Sequence, residues 1–158
     1  MSGITPFLWF DTQAEEAAHY YTSVFPNSRV TGTVRYGEAG PGPAGTVATV
    51  EFELDGQQMV ALNGGPQFRF NEAVSFQISC ESQEEVDRYW TALGDGGEEG
   101  PCGWLTDRYG LSWQVTPTRL TELLADPDPD VADRAMRAML TMKKIDIAAI
   151  EEAVAVGA

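Results

Sequence analysis

Strand-like apolar patterns precede two helix-start signals, one near the beginning of the chain and one near its middle. Residues 74–80 alternate strictly, so Phe76 and Ile78 share one side of a strand and hydroxyl and amide side chains share the other. Ile4 to Phe10 is the corresponding first strand. Because the apolar side must pack beneath a helix, we expect the polar side of 74–80 to face solvent or a cavity.

The two helix starts are similar in sequence. Residues 12–22 (TQAEEAAHYYT) and 82–91 (SQEEVDRYWT) match once one alanine is skipped. Thr12 is followed three residues later by Glu15, and Ser82 by Glu85, which is the capping-box pattern at a helix start. The aromatic pair that follows falls on the buried face of each helix.

Each helix is followed by three further strand patterns. They cover residues 29–36, 46–54 and 57–63 in the first copy, and residues 97–99, 103–106 and 111–116 in the second. Asp55-Gly56 is a tight hairpin signal, and Gly110 occupies the equivalent turn of the second copy. A βαβββ unit used twice predicts two half-domains, residues 1–66 and 67–117, rather than a solenoid.

Residues 118–158 predict a helical C-terminal extension. Asp128-Pro129 is a cap followed by a helix-opening proline, and Asp146 caps a last helix. The apolar stripe of Met136, Met139, Leu140 and Ile147 is interpreted as core or dimer contact.

Composition restricts the partners. Twenty-four acidic against ten basic residues give a net charge of −14, which repels nucleic acid. The same charge would attract a cationic small molecule, although solubility alone explains it more simply. Two cysteines are too few for a disulfide framework. The apolar runs are too short for a membrane span, and the N-terminus has no signal-peptide pattern, so we expect a cytoplasmic protein.

Four motifs carry a resemblance to a known family. They are ITPFLWFD (4–11), LNGGPQF with NEAVSF (62–68 and 71–76), CGWLTDRYGLSWQV (102–115) and MKKIDI (142–147). On these, the chain resembles, over nearly its whole length, the PhnB-like branch of the vicinal-oxygen-chelate (glyoxalase/bleomycin-resistance/dioxygenase) superfamily. That family is often labelled 3-demethylubiquinone-9 3-methyltransferase. The resemblance implies an α+β fold, with tandem βαβββ repeats forming curved mixed sheets around a pocket, C-terminal helices and a homodimer. It implies no settled reaction.

The resemblance also locates a metal site in metal-dependent relatives. Its four positions correspond here to Thr5 or Ile4, Val60, Ser75 and Gln114. None is a histidine or carboxylate, the donors that divalent ions prefer. His19, the only histidine, is interpreted as an ordinary helix-surface or half-buried residue. We therefore expect no catalytic metal and no cofactor.

Strand alternation selects candidate ligand-binding residues opposite the helix-facing set Leu8, Phe10, Phe76, Ile78 and Trp113. These candidates are Thr5, Phe7, Trp9, Ser75, Gln77, Ser79, Ser112 and Gln114, and Cys102, at the mouth of a strand, is added to them. The first hypothesis is a small-molecule-binding protein of undetermined reaction. The alternatives are an enzyme of the same superfamily, either metal-dependent or a methyltransferase, and a structural protein with a vestigial pocket.

Several side chains admit two interpretations. Cys102 is either a nucleophile activated by Arg108 or, more simply, a packing residue. Glu51 and Glu53 fit acid–base chemistry but are typical of a solvated strand face. Glu72 is interpreted as a turn-stabilising residue. No GxGxG motif follows a strand, which argues against a nucleotide-type site for S-adenosylmethionine.

Overall fold

The structure is a computed structural model that describes residues 3–156, so the ends of the predicted first half and of the extension lie outside the described residues. The chain divides into two compact units, one ending at Phe70 and the next beginning at Asn71. Each unit contains one open four-stranded sheet with parallel and antiparallel pairs, together with helices. The fold is therefore α+β, as the sequence predicts.

The first unit has one helix and four strands. They are β1 (Phe7–Phe10), α1 (Ala14–Val24), β2 (Arg29–Arg35), β3 (Val47–Leu54) and β4 (Gln57–Asn63). The strand order is β1-β4-β3-β2, and β1 runs parallel to β4. Ala14, Ala17 and Ala18 are buried on α1, and their small side chains let the helix lie close to the sheet. Tyr21 on the same face stacks on Phe52 of β3.

The start of α1 differs from the prediction. Gln13, not Thr12, is the capping residue, and no side chain of the helix start accepts a bond from the helix. The Ala14 N–H instead donates to Asn63 Oδ1 at 2.8 Å. Asn63 lies beside Phe10 at the end of the parallel pair, so the neighbouring strand supplies the cap. The Thr12–Glu15 capping box is therefore wrong.

The second unit repeats the plan and adds three helices. Its elements are β5 (Ser75–Cys80), α2 (Gln83–Gly94), β6 (Glu98–Glu99), β7 (Trp104–Thr106), β8 (Ser112–Pro117), α3 (Thr118–Leu124), α4 (Pro129–Met139) and α5 (Ile147–Ala155). The strand order is β5-β8-β7-β6, with β5 parallel to β8. The Ser82 cap is confirmed, because its hydroxyl accepts from the Glu85 N–H at 3.2 Å. The short helix α3 begins where the predicted helical extension begins, although the sequence pattern assigned no separate helix to residues 118–124.

The extension packs as a small core of its own. Leu120, Leu123, Ala135, Ile145 and Ile150 form a buried cluster. Of the predicted stripe, Met139 packs against this cluster, whereas Met136 and Leu140 are exposed. No helix among residues 3–156 is long and apolar enough to cross a bilayer.

Residues 142–147, here named the C-terminal strap, tie the extension to the repeat. The Gln83 amide of α2 donates to Ile145 O at 3.0 Å and accepts from the Ile147 N–H at 2.8 Å. Lys144 pairs with Asp87 one turn further along α2, at 2.8 Å. The extension is therefore fixed to the first turns of α2.

Candidate functional site

The polar side of β5 meets the polar side of β8. The register pairs Ser75 with Ser112 and Gln77 with Gln114, so these predicted residues share one face of the sheet. The opposite face carries Cys80 and Trp113, both buried, and packs against α2. The alternation in the sequence therefore correctly separated the two faces.

Strands β7 and β6 extend this polar face. Trp104 lies opposite Gln114, Thr106 lies opposite Ser112, and Glu98 lies opposite Thr106. Trp104, Thr106 and Glu98 all line a cavity of about 390 Å³. Its lining consists of Glu72, Glu98, Glu99, Gly100, Pro101, Cys102, Trp104, Leu105, Thr106 and Ser112.

The cavity includes two of the nine predicted ligand-binding residues, Cys102 and Ser112. The other four in this unit, Ser75, Gln77, Ser79 and Gln114, share the sheet face but lie outside the lining. Trp104, Thr106 and Glu98 were not predicted. The two-residue spacing of Trp104 and Thr106 could have placed them on the Ser112 face, but their strand has only three residues.

Ser112 has an unusual environment. Its side chain is fully buried, and its hydroxyl has no hydrogen-bond partner in the described part of the chain. The neighbouring residue Trp113 points to the helix side, where its Nε1–H donates to Asp107 Oδ2 at 2.9 Å. The Ser112 hydroxyl is therefore left on the cavity side without a protein partner.

Asp107 fixes the turn that precedes Ser112. Its buried carboxylate also accepts from the backbone N–H groups of Tyr109, at 2.8 Å, and Leu111, at 3.1 Å. One carboxylate thus satisfies three donors between β7 and β8. This network holds the Ser112 backbone in one position.

Cys102 lies at the edge of the cavity in a strained backbone. Its φ is +59°, in the left-handed region that glycine prefers, and Gly103 follows with φ +82°. The strap holds this turn, because the N–H groups of Cys102 and Gly103 donate to Met142 O and Lys143 O, both at 2.8 Å. A Cβ at Gly103 would come within 2.9 Å of Val115 O, so the close packing requires glycine.

The structure gives Cys102 no evident activating group. Arg108, the cation considered from sequence, forms a salt bridge with Asp95 at 3.1 Å. His19 is an exposed residue of α1. The second cysteine, Cys80, is a core residue as predicted, and burial raises the pKa of its thiol to about 11. The arrangement favours the packing interpretation of Cys102.

The glutamates of interest have distinct surroundings. Glu53 pairs with Arg29 at 3.4 Å on the face opposite buried Phe52, as expected of a solvated strand face. Glu72 is exposed and lines the cavity. The bond within its turn comes from Asn71, whose Oδ1 accepts from the Ala73 N–H at 2.9 Å. A turn-stabilising role for Glu72 therefore lacks a contact to support it.

The predicted residues of the first unit lie outside the cavity lining. Thr5 and Phe7 are exposed. The Trp9 indole donates to Gly65 O at 2.9 Å and meets the Phe68 ring edge-on at 4.9 Å. A Cβ at Gly64 would overlap this indole, so Trp9 serves the packing of the 64–68 loop.

The four positions equivalent to metal ligands do not form a donor set. Val60 is aliphatic and buried, and Thr5 is exposed. The Gln114 amide donates to Ser75 Oγ at 2.9 Å, so these two side chains satisfy one another. Two neutral donors do not fit a divalent ion. Among residues 3–156, no three His, Cys, Asp or Glu side chains are grouped to bind one.

Comparisons with known proteins identify the family. The family model described as 3-demethylubiquinone-9 3-methyltransferase matches residues 2–116. A putative 3-demethylubiquinone-9 3-methyltransferase, the PhnB protein of Bacillus cereus, is 38% identical, with a TM-score of 0.66. The match covers 73% of this chain and 99% of that one. No curated protein sequence is significantly similar.

Two further solved structures share the fold at lower identity. A Pseudomonas aeruginosa protein is 21% identical over 74% of this chain and 98% of its own, with a TM-score of 0.61. The fosfomycin resistance protein FosX of Listeria monocytogenes is 16% identical over 74% and 93%, with a TM-score of 0.51. The family model stops short of the strap, so the matched length is less than the sequence motifs suggested. The chain belongs to the 3-demethylubiquinone-9 3-methyltransferase family, the PhnB-like branch of the vicinal-oxygen-chelate superfamily.

Proposed function

We propose that this protein binds a small organic molecule in the cavity of the second unit, without a catalytic metal. The observation that carries the proposal is the Ser112 hydroxyl, which is buried on the cavity side without a protein partner. Leaving such a group unsatisfied costs about 1–3 kcal/mol. A ligand that hydrogen-bonds to it recovers this cost.

The lining of the cavity supports the same function. Trp104 and Pro101 provide apolar surface, and Thr106 and Ser112 provide two hydroxyl groups. Ligand sites in proteins combine mainly apolar walls with a small number of polar groups, in volumes of about 300–1,000 Å³. The volume of about 390 Å³ falls in this range and suits a compact ligand.

The rigidity of the cavity walls also favours binding. Asp107 fixes the turn before Ser112, and the strap fixes the turn at Cys102 and Gly103. Side chains held in place before the ligand arrives lose little freedom when it binds. The chain therefore provides a preorganised site.

Two alternatives have less support. The family description names a methyltransferase, but the turns that follow the parallel strands β1 and β5 (residues 11–13 and 81–82) contain no glycine. A glycine-rich turn at that place is what lets a helix N-terminus approach a nucleotide. A vestigial pocket would be packed shut, and the open cavity argues against it. We favour binding over turnover.

The homodimer implied by the family is also part of the proposal. Large apolar side chains are exposed in the first unit, with Ile4 81%, Phe7 61% and Phe68 65% accessible. Exposed apolar groups of this size are typical of surfaces that associate. Sedimentation equilibrium should give twice the chain mass, and a monomer at every concentration would contradict the dimer.

Thermal unfolding with a metabolite panel tests the binding proposal. A ligand at a hundred times its Kd stabilises the folded protein by about 2.7 kcal/mol and raises Tm. Thr106→Phe should block the cavity and abolish the shift. Thr116→Phe is the matched control, because Thr116 is also half-buried on this sheet face but lies outside the lining.

The outcomes separate the alternatives. Equal shifts in both phenylalanine variants would place the site elsewhere and overturn the proposal. S-Adenosylmethionine is included in the panel, and its binding with methyl transfer would favour the methyltransferase. A chelator should leave the ligand-induced shift unchanged. Loss of the shift in chelator, with recovery on adding a divalent ion, would overturn the metal-independent part.

A further inference from the structure

The charged residues that line the cavity all have one sign. Three glutamates, Glu72, Glu98 and Glu99, belong to its lining, and the lining contains no lysine, arginine or histidine. Within residues 3–156, no hydrogen bond or salt bridge engages the carboxylates of Glu72 and Glu98. Both are exposed, and the potential at the cavity is therefore negative.

The strand register distinguishes Glu98 from Glu99. Glu98 lies opposite Thr106 and so shares the face that carries Ser112. Glu99 lies opposite Leu105 and faces α2, where its carboxylate accepts from Trp90 Nε1–H at 3.0 Å. Of the two β6 carboxylates, Glu98 is the one directed to the cavity side, and Glu99 is occupied on the helix side.

A hydroxyl and an aromatic ring complete the surroundings. The Ser112 hydroxyl is fully buried and unpartnered, and it can accept a hydrogen bond from a ligand N–H. Trp104 shares the same sheet face and offers a ring that attracts cations. The buried hydroxyl is independent of the carboxylates, and it too calls for a ligand.

We propose that the cavity selects an organic cation, a small molecule with an apolar body and an ammonium group near Glu72, Glu98 and Ser112. The inference rests on the proposed binding function and specifies its ligand class. Carboxylates that meet no protein cation favour a positive ligand, and an anionic ligand would meet repulsion without a compensating base. The net charge of −14 acts in the same direction.

Matched sets of ligands on one carbon skeleton test the charge preference. Tryptamine, tryptophol and indole-3-acetate form one set, and benzylamine, benzyl alcohol and benzoate form another. Each is titrated into the ¹⁵N-labelled full chain while the amide signals of Gly100 and Thr106 and the Trp104 indole signal are followed. The amine should bind about tenfold more tightly than the alcohol, and the carboxylate most weakly. Raising the salt concentration should reduce the preference.

Charge-removing variants locate the preference. Glu98→Gln keeps the side-chain shape and should reduce the amine-over-alcohol ratio about threefold or more, while the alcohol binds as before. Glu38→Gln is the matched control, because Glu38 is exposed in the loop of the first unit and the net charge changes equally. An equal loss in both variants would mean that only the overall charge acts, and it would overturn the assignment to Glu98.

Two results have different meanings. If alcohols bind as well as amines, or carboxylates bind best, the cation proposal fails and the cavity remains a binding site. If no member of either set perturbs the lining signals while the chain is folded, the cavity does not bind small molecules. The proposed function then fails as well.

Discussion

The two units follow the same βαβββ plan but differ in their outer strands. In the first unit, β2 and β3 have seven and eight residues and form a long hairpin. In the second, β6 and β7 have two and three residues. Because these strands are short, the N–H groups of Cys102 and Gly103 have no partner on a neighbouring strand, and buried donors need partners. The strap supplies them, through Met142 O and Lys143 O.

This difference explains where the cavity is. The short β6 leaves residues 100–103 as a turn at the edge of the sheet, and that turn lines the cavity. The strap then replaces the missing ladder and keeps the turn in place. The family model ends at residue 116, so the strap and its helices lie outside the matched part of the family. The comparison indicates that a segment outside the repeat can hold the wall of a cavity in place without contributing side chains to its lining.

The largest difference in stability should appear when the two hairpin turns are compared. Asp107→Asn puts an amide where Trp113 Nε1–H, Tyr109 N–H and Leu111 N–H now share a carboxylate, so one buried donor loses its acceptor. We expect a loss of about 3 kcal/mol in the free energy of unfolding. Asp55→Asn makes the same change in the exposed turn of the first unit, where asparagine accepts the positive φ. It should cost less than about 0.5 kcal/mol.

Urea unfolding of the full chain measures both variants. Similar losses would mean that the two turns are equivalent and that Asp107 does not organise the second. A loss in Asp107→Asn with a weakened Ser112-side cavity, seen as reduced ligand binding, would connect the turn to the site.

Glutamine at the second position of the repeat provides the next comparison. Gln83→Ala removes the bonds to Ile145 O and the Ile147 N–H, and should destabilise the protein by about 2 kcal/mol. Gln13→Ala, at the matching place in the first unit, removes only a 3.3 Å bond to the Thr12 N–H and should cost about 0.5 kcal/mol or less. Hydrogen exchange should show faster exchange at Cys102 and Gly103 in Gln83→Ala alone. Unchanged exchange there would show that the strap does not depend on Gln83.

The helix caps distinguish the units by about 1 kcal/mol. Asn63→Ala removes the acceptor for the Ala14 N–H and a donor to Val47 O, so it should cost about 2 kcal/mol. Ser82→Ala removes one cap and should cost about 1 kcal/mol. Thr12→Ala should be close to neutral. If Thr12→Ala costs as much as Ser82→Ala, the first helix is capped from its own sequence after all.

The sequence predicted what local pattern and short spacing determine. The repeat, the Ser82 cap and the face of Ser112 and Gln114 all follow from residues close to one another in the chain. The Asn63 cap joins residues 49 positions apart, and the Gln83 bonds to the strap span 62 and 64 positions. No periodicity reports such contacts.

The cavity was only partly predictable for a related reason. An alternating pattern can be recognised only over several residues, and β6 and β7 are too short to show one. Glu98, Trp104 and Thr106 were therefore not predicted as cavity residues. Helix α3 follows β8 without a break, and its seven residues give too little periodicity. The partner-free state of Ser112 is a property of packing in three dimensions, which the sequence does not encode locally.

The smallest expected effect is a change in stability at acidic pH. The hydrogen bond from Lys144, together with that from Gln83, lowers the pKa of Asp87 below its ordinary value of 3.8. Because the pKa is lower in the folded than in the unfolded state, the strap contact contributes stability above about pH 3.8, and this contribution is lost as the pH falls through the folded pKa.

Asp87→Asn should therefore weaken the protein slightly at neutral pH and flatten its stability profile below pH 4. The equivalent residue in the first unit is Ala18, which is uncharged and gives that unit no such contact. Hydrogen exchange at the Cys102 and Gly103 amides, which donate to the strap, checks this prediction when it is measured from pH 6 to pH 3. Only the wild type should lose protection at these amides on acidification. The same loss in Asp87→Asn would assign the acid response to another carboxylate of the extension, such as Glu151, whose pKa Arg119 also lowers.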